Sequence, residues 1–167
     1  MVNINYVVIG TDCSGKTSLV DMLSGITEFK VVKGSSFEHS QCTRDELFEK
    51  FLEFTKMENI IFDRFTYCNE VYAPMYDDFA MLSDGQRRII EKEMKDKATI
   101  IYLYADDEVL EQRFNIRGDE YVSLEKLKYA KYKYEEALHK VEHLEVVKFD
   151  TGKLTTKEIV EQILLNY

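Results

Sequence analysis

Residues Gly10-Thr11-Asp12-Cys13-Ser14-Gly15-Lys16-Thr17 spell G-x-x-x-x-G-K-[ST], a pattern that works only as a loop between a strand and a helix. The flanks meet that requirement. Asn5-Tyr6-Val7-Val8-Ile9 is a short β-branched and aromatic run, and from Lys16 onward Leu19, Val20 and Leu23 recur on one helical face. Each residue type in the loop has a physical use. Glycines let the backbone curl until successive N–H groups converge at the positive end of a helix, Lys16 adds a point charge, and Thr17 offers a hydroxyl to a divalent cation. The pattern therefore predicts a phosphate-cradling P-loop.

The rest of the chain alternates between strand and helix patterns. Phe29 to Lys33 reads as a second strand. Thr43-Arg44-Asp45-Glu46 is a capping box that opens a helix carrying Leu47, Phe48, Phe51, Leu52 and Phe54. Asn59 to Asp63 is a third, buried strand that ends in an acid and is followed by an aromatic segment, Phe65 to Phe79. Ser83-x-x-Gln86 caps a helix with Ile89, Ile90 and Met94, which leads into the strand Thr99 to Tyr104. Helical patterns over about Asp106 to Arg117 and Leu124 to Val141 precede a last strand, Val146 to Phe149. Thr155-x-x-Glu158 then caps a helix with Ile159, Val160, Ile163 and Leu164. This order implies an α/β three-layer sandwich around a central parallel sheet of about five strands. The 167 residues contain one proline and are 45% hydrophobic, which suits a single domain over 1–167.

Composition narrows the function. The three cysteines are too scattered for a disulfide scaffold or a zinc site, and no apolar run reaches the roughly 20 residues that span a bilayer. The N-terminus lacks a signal-peptide pattern, so a soluble, cytoplasmic protein without a membrane partner is expected. A net charge of −9 disfavours nucleic acid, which needs clustered Lys and Arg, but leaves a small nucleotide open.

Two polar groups join the loop as candidates. Asp63 ends the third strand, and ligands of open α/β sheets sit at the carboxyl ends of strands, so its carboxylate is expected near the P-loop. There it could hold Mg²⁺ or accept a proton, with Arg64 following; its plain alternative is a cap or loop acid. Arg113 and Arg117 are spaced i, i+4, which sends both guanidiniums from one helical face and suits a phosphate clamp as well as a solvated surface.

With these pieces assembled, the chain resembles the thymidylate kinase and deoxynucleoside kinase superfamily over nearly its whole length. Asp63-Arg64-Phe65 is similar to the Asp-Arg-aromatic motif of thymidylate kinases. Tyr72, nine residues after Asp63, falls where those enzymes place a substrate-site tyrosine, and Arg113-x-x-x-Arg117 matches their lid arginines. Arg117-Gly118-Asp119-Glu120, with Leu124, Leu127, Tyr134 and Glu135, is more similar to the lid and following helix of deoxynucleoside kinases. The resemblance implies a P-loop NTPase fold with a short lid at about 113–121, using ATP and Mg²⁺. Within it, Gly10, Asp12, Cys13, Ser14, Gly15, Lys16, Thr17 and Ser18 would hold ATP, and Thr17 and Asp63 the metal. Lys16, Asp63, Arg64, Arg113 and Arg117 would be catalytic, and Phe37, Glu38, Arg64, Phe65 and Tyr72 would hold the acceptor. The implied reaction is ATP-dependent phosphorylation of a pyrimidine deoxynucleoside monophosphate close to dTMP, a step of nucleotide biosynthesis. A deoxynucleoside 5′-hydroxyl is the alternative acceptor, and a homodimer is compatible with the resemblance.

Two departures stand out. Thymidylate kinases carry Arg-Glu-Pro-Gly-Gly after the second strand, whereas this chain has Lys33-Gly34-Ser35-Ser36-Phe37-Glu38, in which Glu38 alone is a counterpart. The interval 36–58 also has room for little more than one helix where the family often has two. A rival from another class is an ABC-like ATPase module, because Leu82-Ser83-Asp84-Gly85-Gln86 imitates its signature helix. Reciprocal helix capping by Ser83 and Gln86 explains the same residues, and the rival leaves Asp63-Arg64-Phe65 without a role.

Overall fold

The computed structural model describes residues 4–34, 41–118 and 122–167. Phe37, Glu38 and the tip of the expected lid, 119–121, lie outside the described residues. Five strands, β1 (Asn5–Gly10), β2 (Lys30–Lys33), β3 (Ile60–Asp63), β4 (Ala98–Tyr104) and β5 (Glu145–Asp150), form one parallel sheet in the order β2-β3-β1-β4-β5. Seven helices connect and cover them: α1 (Lys16–Thr27), α2 (Arg44–Phe54), α3 (Thr66–Tyr72), α4 (Asp84–Glu93), α5 (Asp107–Arg117), α6 (Leu124–His139) and α7 (Thr156–Asn166). The expected P-loop α/β sandwich is the fold observed.

Alternate residues of each strand supply the two faces of the core. Tyr6, Val8, Ile61, Ile101, Leu103 and Phe149 meet Leu19, Val20 and Leu23 of α1 and Ile159, Val160 and Ile163 of α7. Val7, Ile9, Phe62, Ile100 and Tyr102 face the other way, against α2, α3, α4 and α6. Val7, Val8 and Ile9 have no exposed surface, and burial of such a side chain contributes about 1.5–3 kcal/mol. The strand that launches the P-loop is therefore the most firmly fixed part of the sheet.

All three capping boxes form as the sequence predicts, at Thr43 with Glu46, Ser83 with Gln86 and Thr155 with Glu158. The outer edges of two helical faces differ from expectation. Ile89 is 49% exposed and Leu164 42%, because α4 and α7 each turn a narrower apolar stripe to the core than their sequences suggest. Phe29 stands before β2 and stacks on Tyr6, with ring centroids 6.0 Å apart. The aromatic segment after β3 becomes α3 and a 3₁₀ turn at Ala73–Met75.

Two glycines respond oppositely to a methyl group. A Cβ on Gly34 would overlap the carbonyl oxygen of Arg64, whereas one on Gly25, inside α1, would meet nothing within 4 Å. Gly34→Ala is expected to destabilise the protein by about 2 kcal/mol or more and Gly25→Ala to stabilise it by about 0.5–1 kcal/mol. Urea unfolding of the two variants beside wild type checks both signs.

Candidate functional site

Pairing of β1 with β3 sets Val8 beside Asp63, so the P-loop leaves one strand as the acid ends its neighbour. Lys16, the first residue of α1, reaches across: its Nζ donates to Asp63 Oδ1 at 2.5 Å. The two side chains are only 10% and 19% exposed. The ammonium is thus held against a carboxylate and largely covered, in contrast to the solvated loop position that the motif alone suggests. Removing one partner of such a pair leaves the other charge poorly solvated, so Lys16 also supports the fold.

Gly15 caps α1 in the left-handed region at φ 90°, no side chain caps the helix, and its first turn holds no acidic residue. The positive end of the helix is left open to an anion. Cys13 at φ 63° and Arg64 at φ 72° also occupy the left-handed region, which costs a non-glycine residue about 1–2 kcal/mol. Strained backbone therefore brackets the Lys16–Asp63 pair on both sides. Gly10 and Ser14 are buried beneath the loop, and a Cβ on Gly10 would come within 2.7 Å of the Leu103 carbonyl oxygen.

The twisted Arg64 backbone turns its side chain back toward the loop. An Arg64 Nη2 donates to Asp12 Oδ1 at 3.4 Å, and the guanidinium carbon lies 5.2 Å from the centre of the Tyr72 ring. Burial opposes the Arg64 charge, but its neighbours, Tyr134, Cys68, Tyr72 and Asp12, outweigh that and raise its pKa. Burial likewise raises the Tyr72 phenol, with Arg64 pulling it only partly back. Tyr72 packs edge-on against Tyr134 and does not line the groove described next; it supports Arg64 from behind. Phe65 is 1% exposed and packs against Phe51 and Phe62, so its ring belongs to the core and is not free to stack on a base.

Arg113 and Arg117 part company. From α5, Arg113 donates to the Cys13 carbonyl at 3.0 Å and to the Thr151 hydroxyl and carbonyl at 2.9 and 2.8 Å. The Thr151 hydroxyl in turn donates to the Ser14 carbonyl at 2.8 Å. Arg113 is therefore a staple between α5, the P-loop and the turn after β5, rather than half of a swinging pair. Arg117, one turn further along, is exposed. Thr151 escaped sequence reasoning because its hydrogen bonds reach Arg113, 38 residues away, and Ser14, 137 residues away; a lone threonine after a strand carries no local signal.

These elements border a cavity of about 810 Å³ along the carboxyl ends of the strands, large for a small-molecule site. Thr11, Asp12, Cys13, Gly15, Lys16, Thr17 and Ser18 line its middle. Lys33, Asp63 and Arg64 stand at the β2–β3 end, and Arg113, Thr151, Leu154 and Thr155 at the β5–α7 end. Among the described residues five cations, Lys16, Lys33, Arg64, Arg113 and Arg117, face two acids, Asp12 and Asp63, in a chain whose net charge is −9. No residue of the ABC-like stretch Leu82–Arg88 lines the groove.

The described residues hold no cluster of three or more His, Cys, Asp or Glu side chains placed for a metal ion. Thr17 and Asp63 do offer a hydroxyl and a carboxylate oxygen to the same groove. That sparse set of hard donors fits Mg²⁺, which keeps several waters and shares substrate phosphates rather than occupying an all-protein cage. No described helix is long and apolar enough to cross a membrane.

No family model matches the chain. It is 36% identical over 155 residues to the SPbeta prophage-derived uncharacterized protein YorR of Bacillus subtilis (strain 168), spanning 93% of each protein. The crystal structure of YorR in complex with phosphorylated GDP superposes with a TM-score of 0.90 at 34% identity, covering 96% of this chain and 94% of that one. Deoxyadenosine kinase from M. mycoides, with products dCMP and a flexible dCDP bound, gives a TM-score of 0.59 at 18% identity over 97% of both chains. Thymidylate kinase from Candida albicans gives 0.60 at 15% identity, over 98% of this chain and 90% of that one.

Arg113→Ala, which removes three hydrogen bonds at once, is expected to cost about 2–3 kcal/mol of stability. Arg113→Lys should recover only part of it, since a single ammonium lacks the planar fork that spans both Cys13 and Thr151. Thermal unfolding of the two variants distinguishes this staple from a solvated helix face, for which neither would shift the midpoint.

Proposed function

The chain belongs to the same family as YorR and has the P-loop kinase fold, and from that premise we propose that it transfers the γ-phosphoryl group of ATP to a pyrimidine deoxynucleoside monophosphate, dTMP or a close analogue. The observation that carries the reading is the two-ended groove. Its P-loop centre is flanked on both sides by cationic side chains, in an otherwise acidic protein, which suits two phosphorylated ligands meeting end to end.

In this reading the chain's own residues do the following. The open end of α1 and Lys16 bind the donor phosphates, and the ammonium leaves Asp63 for them. Thr17 and Asp63 would hold Mg²⁺, which would neutralise charge on the phosphate oxygens. Arg64, locked by Asp12 and Tyr72, orients the acceptor, and Arg117 approaches the transferring group from α5. A monophosphate acceptor presents an oxygen that is already anionic, so attack on the γ-phosphorus needs no general base; a 5′-hydroxyl acceptor would need one. The phosphorylated GDP bound by YorR favours a second reading in which guanine nucleotides serve as ligands.

ADP formation from ATP with a panel of nucleosides and monophosphates, dTMP and dGMP included, tests the proposal, with GTP as an alternative donor. Product that rises with dTMP supports the primary reading. Release of ADP that no acceptor stimulates would sink it.

Lys16→Ala should abolish transfer and, because it strands Asp63, also lower stability by about 1–3 kcal/mol. Arg117→Ala should reduce kcat on the order of a hundredfold while ATP affinity changes far less, since its contact is made to charge that develops in the transition state. Steady-state kinetics with direct ATP titration separates the two effects. A wild-type kcat in Arg117→Ala would make that side chain a solvated one.

A further inference from the structure

Among the groove's cations, three are already committed within the protein. Lys16 is bound to Asp63, Arg64 to Asp12 with Tyr72 beneath it, and Arg113 to Cys13 and Thr151. Lys33 is different: it lines the groove and is exposed, and its side chain makes no hydrogen bond or ion pair with any other described residue. Its position is set by the sheet. β2 pairs in register with β3, so Lys33 stands directly beside Asp63, and neighbouring residues of parallel strands send their side chains to the same face. Val31, two residues earlier, shares that face, on which Asp63 meets Lys16. Lysine is common on edge strands as a guard against further pairing. Lys30, at the other end of β2 and away from the groove, has that role alone. Lys33 stands instead at the carboxyl end, next to Asp63 and on the side of the P-loop opposite Thr151 and Leu154.

An uncommitted ammonium at the β2–β3 end of the groove is suited to an anion other than the donor's triphosphate. We propose that Lys33 recognises the acceptor's phosphate, so that the groove selects a nucleoside monophosphate over the corresponding nucleoside. This rests on the kinase reading for its chemistry, but not for its binding. The ammonium pairs with the acceptor phosphate dianion and lowers the repulsion between it and the donor's γ-phosphate as the two approach. A nucleoside, whose 5′ end carries no charge, gains nothing from it. Lys33 is thus a determinant of specificity, and Lys33→Arg preserves the charge.

The test is calorimetric titration of dTMP and thymidine, and of dGMP and deoxyguanosine, into wild type, Lys33→Ala and Lys33→Arg, alongside acceptor kinetics. Lys33 is exposed at a strand end, so the variants are expected to fold, which circular dichroism checks. A charge-assisted contact predicts that Lys33→Ala weakens monophosphate binding about ten- to hundredfold and raises the acceptor KM in step. Nucleoside affinity and the KM for ATP should change less than about twofold, and Lys33→Arg should restore most of the loss. Unchanged monophosphate affinity in Lys33→Ala overturns the inference, as does a wild type that binds the nucleoside as tightly as the monophosphate. If wild type binds the monophosphate through Lys33 yet forms no ADP, the kinase reading fails while the phosphate site stands.

Discussion

Pairing of β1 directly with β3 places the P-loop lysine and Asp63 at adjacent strand exits, and the ion pair between them is the contact around which the groove is arranged. Two opposite charges in a partly covered position attract each other more strongly than on an open surface, yet both retain enough access to be claimed by something else. In the ligand-free protein the ammonium thus has a carboxylate as its counter-ion. Any polyphosphate that enters competes with that carboxylate, and its success frees an acid for a metal or a proton. In the proposed reaction, nucleotide entry and preparation of Asp63 would in this way be a single exchange of partners.

The groove's charge is also separated from the charge of the molecule. Five basic side chains converge on one edge of the sheet while the whole chain carries −9. A field of that shape draws small anions to one place. The sign of the groove follows from topology: Lys16 at the start of α1, Lys33 at the end of β2, Arg64 just after β3 and the two arginines of α5 are far apart in sequence and meet over the carboxyl ends of the parallel strands.

What the sequence disclosed was what depends on near neighbours. The P-loop, the apolar stripe Leu19-Val20-Leu23 and the three capping boxes each lie within about a dozen residues, and each formed as read. What it did not disclose depends on distant partners. Phe65 follows Arg64 in a motif that suggested a base, but its environment is made by Phe51 and Phe62 from other elements. Arg113 and Arg117 share a helical face, and the spacing is silent on the fact that Thr151 and Cys13 lie under the first alone. Lys33 read only as the end of a strand, and it is the register of β2 against β3 that sets it beside Asp63. The likeness to nucleotide kinases, by contrast, was legible because its motif residues sit at strand exits, where topology leaves little freedom.

The Arg113 staple limits how the groove can be covered. Helix α5 is tied through Arg113 to the loop that leads into α1 and to the turn that leads into α7, so rotating it as a rigid rod would drag the phosphate loop with it. A motion that leaves the P-loop intact has to begin beyond Arg113, and Arg117 lies only about 6 Å further along the axis, at 1.5 Å per residue. The helix ends at Gly118, whose φ of 64° suits a swivel. If the proposed transfer needs the groove covered, the part of α5 able to do it is its last turn with a long side chain at the tip, more a latch than a door.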